Sequence, residues 1–166
     1  MKNLALILIC STMLFACNKA VDCRLGFGGD NCDVQITPQS LTINSADISA
    51  FPATDLAGLE WDLAGNPDIF FRIYRGETQI YQSEIKTDAL PGTPLVFTSG
   101  TPFNIENVTD AFTMTFFDDD GALGSQEMGS FGISLYSSTN NFPDFITYTN
   151  PGGTAFVFSL HVAYNY

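Results

Sequence analysis

In the C-terminal segment Thr154–Tyr164, the residues Phe156, Phe158, Leu160, Val162 and Tyr164 occupy alternate positions, with Ala155, Ser159 and His161 between them. Successive side chains of an extended chain point to opposite sides, so this period of two predicts a half-buried strand with His161 on its solvent face. Phe112, Met114 and Phe116 alternate with Thr113 and Thr115 in the same way, and Ile69, Phe71 and Ile73 alternate with Phe70, Arg72 and Tyr74 within the predicted strand Ile69–Arg75. Ser40–Ala46, Thr78–Ile85, Leu95–Thr98, Phe131–Tyr136 and Asp144–Thr149 complete a set of eight short runs separated by Pro, Gly, Asn and Asp. No segment holds a helical period over about ten residues. Residues 37–166 are therefore expected to form an all-β, eight-stranded antiparallel β-sandwich or jelly roll.

The first residues read differently. Lys2 precedes the apolar runs Leu4–Ile9 and Met13–Ala16, together too short to span a bilayer, which needs about 20 residues, and shaped like an export signal. Leu14, Phe15, Ala16 and Cys17 resemble a bacterial lipoprotein lipobox, with a small residue before the cysteine. That resemblance implies a signal peptide over 1–16, lipidation of Cys17 and a lipid-anchored place in the cell envelope, at the outer membrane. Cys10 would leave with the signal, so Cys23 and Cys32 remain as one pair, an even count that fits a disulfide in an oxidising compartment. The run Cys23–Cys32, with Gly26, Phe27 and the Gly28–Gly29 pair, is similar to the last loop of an EGF-like module. Residues 17–36 are thus expected to be a lipidated tether stiffened by a small disulfide ribbon.

Six Lys plus Arg stand against eighteen Asp plus Glu, for a formal net charge of −12. The absence of a basic stripe excludes nucleic acid as a partner. The acids are gathered: Asp62, Asp68, Asp118, Asp119, Asp120 and Glu127 fall in two glycine-rich stretches at strand ends. Calcium suits such loops, because it accepts six to eight oxygens in a flexible geometry. Two carboxylates about 5 Å apart repel by roughly 3 kcal/mol at an effective dielectric near 20, so converging loops need a cation, raised pKa values or splaying. If the stretches lie at opposite ends of the sandwich, Asp118–Asp120 is only a solvated turn.

These residues resemble the calcium loops of a C2 domain, an eight-stranded Greek-key sandwich. Asp62, Gly65 and Asp68 match its first loop, which runs directly into a strand. Asp118, Asp120 and Gly129 match the second, whose last acidic position falls on Gln126, with Glu127 one residue later. The stretch Leu41–Leu56, with Ala46, Ile48, Pro52 and Asp55, is similar to the family's first strand, so the resemblance spans about Leu41–Tyr166. It implies calcium as cofactor, held by Asp62, Asp68, Asp118, Asp120, Gln126 and Glu127, and loops presented to a protein partner or an anionic lipid surface. The family's Lys-rich strand is not visible; Arg72, Arg75 and Lys86 are the only bases in that region.

Catalysis is not expected. The single His161 sits on a solvent face, no free Cys remains for nucleophilic work, and one His cannot make a zinc site. A competing reading is a surface adhesin or carbohydrate-binding jelly roll, in which Trp61, next to Asp62, stacks on a glycan.

Overall fold

A computed structural model describes residues 22–62, 65–151 and 155–166. The signal-peptide reading and the Cys17 lipidation reading lie outside these residues. The described chain folds into ten strands: β1 (Phe27–Gly28), β2 (Val34–Gln35), β3 (Ser40–Ala50), β4 (Ile69–Arg75), β5 (Thr78–Gln82), β6 (Leu95–Glu106), β7 (Phe112–Asp119), β8 (Ser125–Ile133), β9 (Phe145–Thr149) and β10 (Val157–Asn165). Strands β3 to β10 form two four-stranded antiparallel sheets, ordered β6-β3-β10-β9 and β5-β4-β7-β8. β1 and β2 pair as a separate ribbon.

Alternation dictates what lies between the sheets. The inward residues of β10, Phe158, Leu160 and Val162, are buried, as are Phe112, Met114 and Phe116 of β7 and Ile69, Phe71 and Ile73 of β4. Phe116 sits at the centre of an aromatic packing unit, stacked on Phe156 at 4.8 Å and edge-on to Phe158 at 5.1 Å, with Phe71 and Phe131 at 6.0 Å. Pairs of this kind add to the transfer energy of the rings by about 0.5–1.5 kcal/mol each.

Three strands outrun their sequence patterns. β3 continues to Ala50 through a register shift between Ile43 and Ser45, and the same shift absorbs the extra length of β6 around Pro102. Proline is tolerated there because β6 is an edge strand with a row of backbone groups that need no partner. β8 begins at Ser125, six residues before the apolar run that predicted it, because a bulge between Phe116 and Phe117 leaves Met128 as an extra residue and buries it. Gly129 is required beside that bulge: a Cβ there would come 2.7 Å from the Phe131 ring.

Three connections meet at one end of the sandwich: residues 51–68 between β3 and β4, 83–94 between β5 and β6, and 120–124 between β7 and β8. The register fixes this, since Ile69 at the start of β4 pairs with Asp118 near the end of β7 and bridges to Lys86, while Ile48 of β3 pairs with Leu95 of β6. The ribbon lies at the other end. Its Gln35 side chain donates to Ser137 O at 2.8 Å and Asn140 Oδ1 at 2.9 Å and accepts from Asn141 N, all in the connection between β8 and β9. A disulfide joins Cys23 to Cys32.

Candidate metal centre

Asp118 was expected in a loop; instead it is a strand residue whose alternation carries it inward. Phe112, Met114, Phe116 and Asp118 occupy successive inward positions of β7, so a carboxylate stands where a fourth apolar side chain would, with 0% of its surface exposed. Its Oδ1 accepts a hydrogen bond from the backbone N–H of Asp68 at 2.7 Å, which aims the group toward the start of β4. Its Oδ2 is buried and has no hydrogen-bond partner among the described residues. A buried, unpaired carboxylate oxygen costs several kcal/mol unless a counter-charge meets it.

Two further carboxylates converge on it. Asp62, from the first loop, and Asp120, from the tight turn 120–124, each bring an oxygen within 4.8 Å of one another and of Asp118. Burial pushes the Asp118 carboxyl above the usual carboxylate range, and the charges of Asp62, Asp120 and Asp68 push it further, against the lowering effect of the Asp68 N–H. The Asp62 carboxyl is raised as well, first by loss of hydration and then by Asp120, Asp68 and Asp88. The two acidic stretches therefore meet at one end of the sandwich.

Asp68 lies beside this trio in a bracing position. Its Oδ1 accepts from Asp88 N at 2.7 Å, and its carbonyl accepts from Asp119 N at 2.9 Å. Asp88, on the connection 83–94, is an acid that the sequence motifs did not single out. Its Oδ1 accepts from both the backbone and side-chain nitrogens of Asn66, and these bonds hold its carboxyl below the ordinary range. The only local signal was an Asp shortly before the Pro91–Gly92 turn. Asp62, Asp68, Asp88 and Asp120 line one open cleft of about 560 Å³.

Gln126 and Glu127 lie on a strand and not in the expected loop, and the register separates them: Gln126 pairs with Asp118 and so shares the inner face with the trio. Both belong to β8, where Glu127 pairs with Phe117. Phe117 alternates with the inward Phe116 and Asp118 and stacks on Phe70 at 5.1 Å, so Glu127 shares the outer face of the sheet and points away from the trio. Both residues line a neighbouring groove along β8 with Asp55 and Trp61. Trp61 is also not the exposed platform expected of it: it is 9% exposed, packs in the core, and donates its Nε1–H to Pro52 O at 2.8 Å.

The donors fit a hard cation. They are all oxygens, one is buried and unpartnered, and their mutual distances match a shared calcium ion, across which two oxygens are at most about 4.6–5.2 Å apart.

The connections that carry the acids also carry exposed leucines. Leu56 is 107% exposed, Leu123 91%, Leu59 64% and Leu90 55%, and all four lie on the three connections that carry the acids. The Leu56 turn is ordered, because Asp55 Oδ1 accepts from both Ala57 N and Leu59 N at 2.8 Å. Lys86, the lone base of these connections, is paired with Glu84 at 2.7 Å.

No protein-family model matches the sequence, and no curated protein does. Among solved structures, one described as the structure of a C2 domain superposes with a TM-score of 0.53 at 10% identity, over 76% of this chain and 98% of its own. The human GIVD cytosolic phospholipase A2 aligns over 76% of this chain and 16% of its own, at 11% identity and a TM-score of 0.49. A C2 domain of plant extended synaptotagmin 1 aligns over 78% of this chain and 96% of its own, at 15% identity and a TM-score of 0.45. At these identities the likeness is one of fold, and the sandwich has the fold of a C2 domain.

Proposed function

We propose that this chain is an exported, lipid-anchored and non-catalytic protein of the bacterial cell envelope, whose C2-fold sandwich binds calcium at one end and docks the loops there on a lipid surface. The observation that carries the reading is the Asp118 carboxylate, wholly buried and with Oδ2 unpartnered, aimed at the acids of Asp62 and Asp120. These three residues would hold the ion, with Asp68 and Asp88 bracing the loops around them. Calcium, when bound, supplies the positive charge that three mutually repelling carboxylates lack. The lipid reading rests on the four exposed leucines around the acids and on the shortage of aromatic and Arg side chains that anchor protein interfaces. Export and lipidation rest on the sequence of residues 1–17.

Calorimetric titration of the metal-free protein with calcium tests the first half. A saturable isotherm is expected, lost in Asp118→Asn and in Asp120→Asn but kept in Glu127→Gln. Equal binding by the parent and Asp118→Asn would refute the site.

A further inference from the structure

Strand β8 is an edge of its sheet, and its composition sets it apart from the other three edges. β5 and β9 have only five residues each, and β6 carries Pro102. β8 has nine residues, Ser125–Ile133, with no proline and no lysine. Short length, proline and lysine are the means by which edge strands avoid pairing with other chains, and β8 uses none of them. Only the bulge at Met128 interrupts it. On the side away from β7, no strand and no backbone hydrogen bond meets β8 among the described residues.

A groove of about 540 Å³ runs beside that edge, and all six residues from Gln126 to Phe131 line it. Cross-strand partners share a face. Gln126, Gly129 and Phe131 therefore look inward, opposite Asp118, Phe116 and Met114, while Glu127 and Ser130 look outward, opposite Phe117 and Thr115. A pocket on either face of the sheet would touch alternate residues only, so contact with both sets means that the groove meets the strand edge-on. Its other wall is the turn that carries Asp55, Leu56 and Trp61. The Thr54–Glu60 bridge and the hydrogen bond from Asp55 N to Leu59 O at 2.8 Å hold that turn in place.

An extended chain fits such a groove. Its backbone would pair with β8, and alternate side chains would face inward against Met128, Phe131 and Trp61, which form an apolar floor. The others would stand outward beside Glu127, which is exposed and has no ion pair among the described residues. Asp55 adds a second acid, and the whole chain carries a net charge of −12. A second copy joined edge to edge would bring like charges together, whereas a strand bearing Lys or Arg is attracted.

We infer that the β8 edge docks an extended segment of a partner protein in which apolar residues alternate with Lys or Arg, added to the sheet as a fifth strand. The site is separate from the acidic trio and needs neither calcium nor a lipid surface, so its failure and that of the proposed function are read independently.

The probe is a capped octapeptide of alternating Val and Lys, labelled with a fluorophore and titrated into the full-length protein in calcium and again in chelator. Saturable binding is expected in both. The same peptide N-methylated at its two central residues keeps every charge and side chain but loses a backbone donor on each edge, and it should bind at least about tenfold more weakly. An octapeptide of alternating Val and Glu should lose at least as much. Glu127→Lys, at an exposed position, should melt like the parent and bind the Lys peptide about tenfold more weakly or worse. Amide hydrogen exchange on peptide binding should slow within residues 125–133 and not in β5, β6 or β9. Equal binding of the N-methylated peptide would reduce the effect to charge attraction by the acidic cleft and overturn the inference. Protection at a different edge, or self-association of the protein through β8 without peptide, would overturn it as well.

Discussion

Burial acts on ionisable groups at both ends of the sandwich, with opposite results. At the ribbon end it pushes the Tyr166 phenol up to about 12, and the hydroxyls of Tyr136 and Tyr166 have no hydrogen-bond partner among the described residues. An unpartnered phenol hydroxyl is an uncharged polar group, so its burial costs about 1–3 kcal/mol of lost hydration. At the loop end the same burial acts on Asp118, where it is the charged form that loses hydration, and two more carboxylates lie within 4.8 Å. Three pairs at roughly 3 kcal/mol each, before solvent screening, would rival the stability of a whole domain. One end of the fold is closed by a disulfide and an aromatic cluster; the other holds an electrostatic load that a bound cation would relieve.

Substitutions separate the contributions of the two ends. The largest effect is expected from Phe116→Ala, in the layer that supports both ends. It should cost about 3–5 kcal/mol in urea denaturation and weaken calcium binding together with ribbon docking. Cys23→Ser with Cys32→Ser should cost roughly 2–3 kcal/mol and leave the calcium isotherm unchanged, because the constraint acts on the ribbon end alone. Gln35→Ala removes three partly exposed hydrogen bonds and should cost about 1–2 kcal/mol, read best as faster proteolysis within residues 22–36.

The smallest effect is a pH response that calcium suppresses. Asp62 and Asp118 hold their protons more tightly folded than unfolded. Their contribution to stability is therefore present at low pH and lost as the pH rises through their folded pKa values, so the metal-free protein should melt higher at about pH 5 than at pH 7. Asp88 is lowered by Asn66, so its contribution is lost on acidification and should reverse the trend below about pH 4. In excess calcium the rise toward pH 5 should vanish, since protons then compete with the ion. Melting curves across this range, with and without chelator, check both signs.

The number of sandwich strands was legible in the sequence, because alternation survives wherever one face is buried; their bounds were not, since the run Phe131–Tyr136 shares only Phe131–Ile133 with β8 and Thr78–Ile85 overruns β5 by three residues. The carboxylate trio was legible only in part. Asp62 and Asp120 were visible as loop acids, but Asp118 was read as a loop residue because the apolar run ended at Phe117, although the inward periodicity continues one residue further. Gln126 and Glu127 were assigned to the same loop because the start of β8 is polar; the bulge at Met128 then sets Gln126 opposite the inward Asp118 and Glu127 opposite the outward Phe117, so Glu127 alone is turned away from the trio. Asp88 was hidden because its place beside Asp68 depends on pairing between segments 20 residues apart. Trp61 looked like an exposed loop aromatic, and its burial follows from the way the connection 51–68 folds back over the core, which no local pattern encodes.

We propose that the Asp118 carboxylate is kept for a cation and not for the fold. Thermal melts of the parent and Asp118→Asn, each in excess calcium and in chelator, test it most directly. Calcium at about 100-fold over its Kd should stabilise the parent by about 2.7 kcal/mol, Asp118→Asn should not respond, and in chelator the variant should melt no lower than the parent. A variant that is destabilised in chelator and still gains from calcium would contradict it.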